Sequence, residues 1–221
     1  MSAGLVIFDV NETLSDLEPM GERFADVGAP AHLAPTWFAG VLRDGFALTA
    51  VGASAPFVEI AGNHLRIVLG GVDLDRPVDD AVSHVLSGFG ALDVHPDVAD
   101  GVRSLAADGH RLVTLSNGSA SVAEKLLEAA GLREHFEALL SVEDAGVWKP
   151  AAGAYAYALE RCGVEAADAV LVAVHPWDID GAARAGLRTA WIDRNGSTYP
   201  DHFTAPDHHV TSLDELAALL R

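Results

Sequence analysis

The sequence is short of cations. Its 221 residues carry 14 Lys and Arg against 32 Asp and Glu, for a formal net charge of −18. Only Lys125 and Lys149 are lysines, so every other cation is an arginine. Such a balance excludes nucleic acid and anionic membranes as partners, because a polyanion is repelled rather than steered. A single cysteine, Cys162, excludes an internal disulfide and fits a reducing cytoplasm. Long apolar runs are missing too: the longest stretch free of charged residues and histidine, Gly45 to Val58, is 14 residues with Gly and Pro inside it. That is too short to span a bilayer. No targeting segment is visible, since the apolar start Leu5–Phe8 is broken by Asp9 with no basic residue before it. Repeats and low-complexity tracts are absent as well. What is present is a half-apolar composition, which excludes a disordered chain and suits one sizeable core or a core with a small attached domain.

Four short apolar runs read as buried strands: Leu5–Val10, Arg111–Ser116, Ala169–Val174 and Arg188–Ile192, with a weaker one at Ala138–Val142. They lack strict alternation, as strands do when helices cover both faces of a parallel sheet. Helical patterns lie between them at Ser119–Ala130, Ala151–Arg161 and Asp178–Ala185, the last ending at Gly186. Leu213–Leu220 reads as a closing helix capped by Thr211 or Ser212. Strand alternating with helix from about residue 95 onward predicts a doubly wound, Rossmann-like α/β sheet. Residues 16–94 differ: Pro30, Pro35, Pro56 and Pro77 punctuate helix-like stripes without any βαβ alternation. The expected organisation is therefore an α/β core of residues 1–15 and 95–221, with a mainly helical cap at 16–94 inserted after strand one. Within that insertion, residues 31–70 hold only Arg43, Asp44, Glu59 and Arg66 as charges. This near-neutral, aromatic-bearing stretch suits a lid over a small-molecule pocket. Equally, Trp37, Phe38, Phe46 and Phe57 could form the insertion's own core.

In an open parallel sheet, ligands gather at the carboxyl ends of the strands. Those ends carry Asp9 and Asn11-Glu12-Thr13, then Ser116-Asn117-Gly118-Ser119, and His175-Pro176-Trp177-Asp178, while Lys149-Pro150 precedes a helix. One carboxylate, one hydroxyl beside helix-opening amides, one lysine and a further acid would converge on a single crevice. That set is a reaction centre rather than a packing pattern.

The constellation resembles the haloacid dehalogenase superfamily, whose four motifs fall in this order. The matching stretches are Phe8-Asp9-Val10-Asn11-Glu12-Thr13-Leu14, Leu115-Ser116-Asn117-Gly118, Lys149-Pro150 and Asp178-Ile179-Asp180-Gly181-Ala182. By resemblance Asp9 is the covalent nucleophile. Most members are magnesium phosphatases with a second aspartate two residues on, where this chain has Asn11, and a Gly-Asp pair that falls here at Ala173-Val174. A hard, oxygen-seeking cation would lose a carboxylate. Loss of both acids is the pattern of the L-2-haloacid dehalogenase branch, which works without metal. Ser116–Ser119, Tyr155, the pair Trp177-Asp178 and Val210-Thr211-Ser212-Leu213 agree with that branch.

What the resemblance implies is a hydrolase for small 2-haloalkanoic acids. Asp9 would displace halide to give an aspartyl ester, and water would cleave the ester to a 2-hydroxy acid. Ser116 and amides near Val10 and Asn11 would hold the substrate carboxylate, Asn117 would face the halide, and Asp178 would position Lys149 and the water. Thr13, Phe38, Tyr155 and Trp177 would complete the substrate surroundings. Four positions depart from the branch: Asn11 stands where it has Tyr, Ala173 and His175 where it has Ser and Asn, and Phe38 where it has the halide-binding arginine, the nearest cation being Arg43. His175 beside Asp178 would then be a general base, with the acid fixing its tautomer. Neither a metal nor another cofactor is expected, magnesium entering only in a competing phosphatase reading. A catalytically silent member of the fold is the third reading. The partner would be a small carboxylate, and the resemblance leaves a homodimer open, since dimers are common in that branch. An anion approaching a chain of −18 is repelled at long range, so kcat/KM is expected to rise with ionic strength. A kcat/KM that falls as salt is added would contradict this.

Overall fold

The computed structural model of the chain describes residues 4–221. It begins with β1 (Leu5–Phe8), followed by four helices, α1 (Met20–Ala25), α2 (Leu33–Ala50), α3 (Phe57–Leu69) and α4 (Val78–Phe89). Next come α5 (Val98–Ala107), β2 (Arg111–Ser116), α6 (Ala120–Ala129), β3 (Phe136–Ser141), α7 (Val142–Ala145) and α8 (Ala152–Cys162). The chain closes through β4 (Ala169–Ala173), α9 (Pro176–Arg184), β5 (Arg188–Ile192), β6 (His208–Val210) and α10 (Leu213–Leu220).

The six strands form one parallel sheet in the order β3-β2-β1-β4-β5-β6. The chain therefore starts in the middle, winds out through β2 to β3, and returns to the other side of β1 at β4. This is the doubly wound α/β fold, and its switch point lies at the carboxyl end of β1. The period-two pleat sorts the strand side chains. Val6 and Phe8 pack with α5, α6 and α10, whereas Leu5 and Ile7 pack with α8 and α9. Both faces being covered is why these runs read as continuously apolar.

Helices α1–α4 build a third apolar cluster around Trp37, Phe24, Leu65 and Val85. Trp37 and Phe57 lie in that cluster, Trp37 fixed by donating its indole N–H to the Ala61 carbonyl at 3.0 Å. Phe46 instead packs edge-on against Trp177 at 4.9 Å. Three core residues, Val142, Trp148 and Ala154, join this helical cluster. Trp148 donates its indole N–H to the Ala55 carbonyl at 3.2 Å, and its backbone N–H to the Thr49 hydroxyl at 3.1 Å. The ring lies so close to Gly45 that a Cβ there would stand 2.3 Å from it.

Several elements differ from expectation: β3 runs Phe136–Ser141, with α7 taking over at Val142, and β4 stops at Ala173. β1 ends at Phe8 rather than Val10, although the Asp9 amide still donates to the Val172 carbonyl at 3.0 Å. β6 carries His208 and His209 and offers no apolar run, and α5 was not singled out. Ser212 caps α10 by accepting from the Glu215 amide, while the Glu215 carboxylate accepts from the amide of Thr211, one residue before the cap. Among the described residues, no helix is long and apolar enough to cross a membrane.

Helices α5 and α10 touch at Gly101, where an added Cβ would meet the Leu213 Cβ at 2.3 Å and its carbonyl carbon at 2.9 Å. Backbone cannot yield as a flexible side chain can, so Gly101→Ala should destabilise the fold by about 1–3 kcal/mol through overpacking. A fall in the urea midpoint measures it, and an unchanged midpoint would refute the close packing.

Candidate active site

The loop after β1 is held at three consecutive carbonyls. The Asn11 carbonyl accepts from His175 Nε2 at 3.3 Å, Glu12 from His95 Nε2 at 3.0 Å, and Thr13 from Arg194 Nη2 at 2.8 Å. A carbonyl can only accept, so both imidazoles present Nε2–H. These grips sustain a left-handed backbone at Glu12, with φ of 63°, which a residue bearing a Cβ adopts at a cost. The resulting turn places the Thr13 hydroxyl between the sheet and Asp9. It accepts from the Val174 amide at 3.1 Å and donates to Asp9 Oδ2 at 2.7 Å.

The other Asp9 oxygen meets Lys149. Lys149 Nζ donates to Asp9 Oδ1 at 3.0 Å and to Asp178 Oδ2 at 2.6 Å, and the Tyr155 hydroxyl donates to Asp178 Oδ1 at 2.6 Å. Asp9, Lys149, Tyr155 and Asp178 are all buried. Burial alone would raise the Asp9 carboxyl, but Lys149, His175 and the hydrogen bonds from Thr13 and Lys149 outweigh it and hold it below the usual carboxylate range. For Lys149 burial favours the neutral amine, yet Asp178 and Asp9 together keep it above the ordinary lysine value. Burial and the neighbouring Asp9 charge raise Asp178, which remains tied to Lys149.

Four features bring the lysine to this point. Docking of Trp148 between α2 and α3 anchors the preceding residue. Asn117 brackets the lysine's own backbone, its Oδ1 accepting from Lys149 N at 3.0 Å and its Nδ2 donating to Lys149 O at 3.3 Å. Tyr155 on α8 fixes Asp178. Gly181 on α9 lets the Pro150 segment approach, since a Cβ there would stand 2.6 Å from both Pro150 Cβ and the Tyr155 hydroxyl. Asn117, expected to face a departing group, therefore spends its carboxamide on holding Lys149.

Ser116 ends β2 and accepts from the Gly118 amide at 2.9 Å, while Ser141 fixes the Gly118 carbonyl at 2.8 Å. Asn11 Nδ2 lies 3.6 Å from where a Gly118 Cβ would be. Val10 is buried in the sheet core. Asn11 thus borders the Ser116 turn with its side chain and His175 with its carbonyl.

His175 is not paired with Asp178, whose two oxygens are taken by Lys149 and Tyr155. Its acid neighbours are Glu12, with Oε2 at 3.4 Å, and Asp9, with Oδ2 at 3.7 Å. The imidazole stacks on Trp177 at 4.8 Å and faces Phe38 at 6.5 Å. The Glu12 carboxyl is raised, chiefly by burial. Arg43 does not reach the site: its side chain is 68% exposed and pairs with Asp44. Five residues on an α-helix turn it about 140° away from Phe38, toward solvent. Phe38 itself is buried and shares the wall of a cavity of about 750 Å³ with Glu12 and His175. The Asp9–Lys149–Asp178 triad lies behind that wall. Glu12, His95 and Arg194 were missed from sequence. Glu12 sits inside the first motif and could have been flagged, but the other two act on carbonyls and leave no pattern.

A family model described as a haloacid dehalogenase-like hydrolase matches residues 4–186. The chain belongs to that family. Among haloacid dehalogenase-like hydrolases it is 30% identical to (S)-2-haloacid dehalogenase 4A of Burkholderia cepacia, over 97% of this chain and 93% of the relative. Haloacetate dehalogenase H-2 of Moraxella sp. (strain B) is 27% identical, over 97% of this chain and 96% of the relative. A crystal structure of a dehalogenase with an intermediate complex superposes with a TM-score of 0.91 at 29% identity, covering 99% of this chain and 97% of that one.

Two outcomes test the geometry. Gly181→Ala would push Tyr155 and Pro150 off Asp178 and Lys149, lowering kcat by about 100-fold, as a misplacement near 1 Å does. A kcat unchanged in a folded variant would refute the close approach. The raised Lys149 contributes stability that is fully present below the unfolded lysine value of about 10.4 and is lost as pH rises through the higher folded value. The urea midpoint should accordingly fall above pH about 10.4, and less steeply in Lys149→Met.

Proposed function

We propose that this chain hydrolyses 2-haloalkanoic acids to 2-hydroxy acids and halide through an ester on Asp9, without a metal. The observation that carries the reading is the ammonium of Lys149 seated on Asp9 and Asp178. It keeps Asp9 anionic at neutral pH and supplies the positive charge that a magnesium ion would otherwise bring. The names of the relatives, (S)-2-haloacid and haloacetate dehalogenases, support the same reading.

In the first step a carboxylate oxygen of Asp9 forms a bond to C2 as the carbon–halogen bond breaks, and halide leaves with the electron pair. Ser116, the amides of its turn and the Asn11 carboxamide would bind the substrate carboxylate. In the second step water attacks the Asp9 carbonyl carbon of the ester. His175 takes the water's proton at Nδ1, the ring nitrogen left free by the Nε2–H bond to the Asn11 carbonyl, Glu12 at 3.4 Å from Nε2 stabilises the imidazolium, and the 2-hydroxy acid departs as the carboxylate re-forms. Glu12 thus takes the partner role expected of Asp178. Lys149 and Tyr155 keep Asp178 in place and are positioning groups for the nucleophile.

The residues at this site do not fit a divalent cation. Lys149 occupies one edge of Asp9, Thr13 bonds the other oxygen, and Asn11, Ala173 and Val174 stand where carboxylates would be needed. Among the described residues, no group of three or more His, Cys, Asp or Glu is arranged to hold a metal. The single cysteine accords with a cytoplasmic setting.

Incubation with 2-chloropropionate and with a generic phosphate ester, each in EDTA or magnesium, tests the reading. Halide should appear in EDTA; phosphate release requiring magnesium, or no halide at all, would overturn it. His175→Gln keeps a donor for the Asn11 carbonyl but no base. Such a variant should release about one halide per site in a burst and accumulate an ester on Asp9 visible in intact mass. Full turnover with an unchanged pH profile would remove His175 as the base.

A further inference from the structure

The cavity outside the Asp9 cluster is far larger than a two- or three-carbon halo acid needs. At about 750 Å³ it falls in the range of sites that enclose drug-sized ligands. Its inner wall is made by His175, Glu12 and Phe38, and His175 Nε2 stands 3.7 Å from Asp9 Oδ2. A group leaving C2 on this side passes the imidazole directly into the space. The opposite side of Asn11 belongs to Ser116 and Gly118. A substrate with its carboxylate at that turn and C2 against Asp9 therefore has its substituent aimed at the cavity.

The walls say what that substituent is. Leu17, Met20, Trp191 and Ile192 line the space beside Phe38, and Met adapts readily to different occupants. Charge is unwelcome there. Asp16, Glu18 and Asp193 also line the cavity, so a second carboxylate would be repelled. The guanidinium on the wall, Arg194, is committed to Asp97 and to the Thr13 carbonyl, both at 2.8 Å. A cationic tail would find Asp193 already accepting from the Asn195 and Ser197 amides and Asp16 from the Glu18 amide, and would leave water beside Leu17, Met20 and Phe38. We infer that the cavity is a substituent subsite, and that the preferred substrates are 2-halo acids with a neutral apolar tail of several carbons or an aryl group.

This rests on the proposed dehalogenase reading, and the test separates the two. Halide release is measured for 2-bromopropionate and 2-bromohexanoate with the wild-type chain and with Ala31→Trp. Ala31 is exposed on the cavity wall, where it faces Gly21, a Cβ on which would be 3.5 Å away. Each buried methylene is expected to raise kcat/KM roughly fourfold, so the hexanoate should exceed the propionate by at least about tenfold. Ala31→Trp should erase that preference while leaving the propionate within about twofold, since indole bulk removes apolar volume and not the reacting groups. Turnover of the propionate with no gain for the hexanoate would overturn the subsite and leave the dehalogenase reading standing. Equal losses on both substrates in a folded Ala31→Trp would overturn the placement of the tail. No halide from either acid would overturn both readings.

Discussion

The structure depends on one ammonium group buried between two carboxylates. Lys149, Asp9 and Asp178 are removed from water together, and the set carries an excess negative charge. Apolar side chains of equal volume in place of such a buried ionic cluster are often as favourable for folding or more so, even where, as at Asp9 and Lys149, the contacts outweigh burial. The arrangement is therefore an expense of function, and much of the surrounding chain is arranged to hold it. Trp148 ties the helical unit to the residue before the lysine, Asn117 grips the lysine's backbone, and Tyr155 and Gly181 set Asp178 at the right height. Packing of α2 on α3 is thus felt at Asp9, although neither helix supplies a charged group to it.

The α/β core was legible because a parallel sheet covered on both sides needs uninterrupted apolar runs, and β1, β2, β4 and β5 each carry one. Edge strand β6 needs only three residues and tolerates His208 and His209, so it left no such run. Asp9, Ser116, Lys149 and Asp178 were legible because strand ends in this topology have few other uses for such groups. The partner of His175 was not, because it depends on the positive φ of Glu12, which swings that carboxylate toward the imidazole. Nor were His95 and Arg194, whose acceptors are main-chain carbonyls that any sequence supplies. Arg43 misled for a geometric reason: proximity along a helix is not proximity around it.

The same carbonyl grips bear on the electrostatics. Arg194 neutralises Asp97 and caps Thr13, so the cavity gains little attraction for anions from the cation on its wall. The field inside the site is set locally, by a lysine already shared between two acids and by amides at the Ser116 turn. An anionic substrate is admitted against the overall charge by a short stretch of donors, not by long-range steering.

Lysine scarcity has a practical side for surface chemistry. Lys149 is fully enclosed, whereas Lys125 stands exposed on α6. Amine-directed reagents at lysine side chains would therefore couple at one address, giving uniformly oriented attachment to a support with the reacting centre left unmodified.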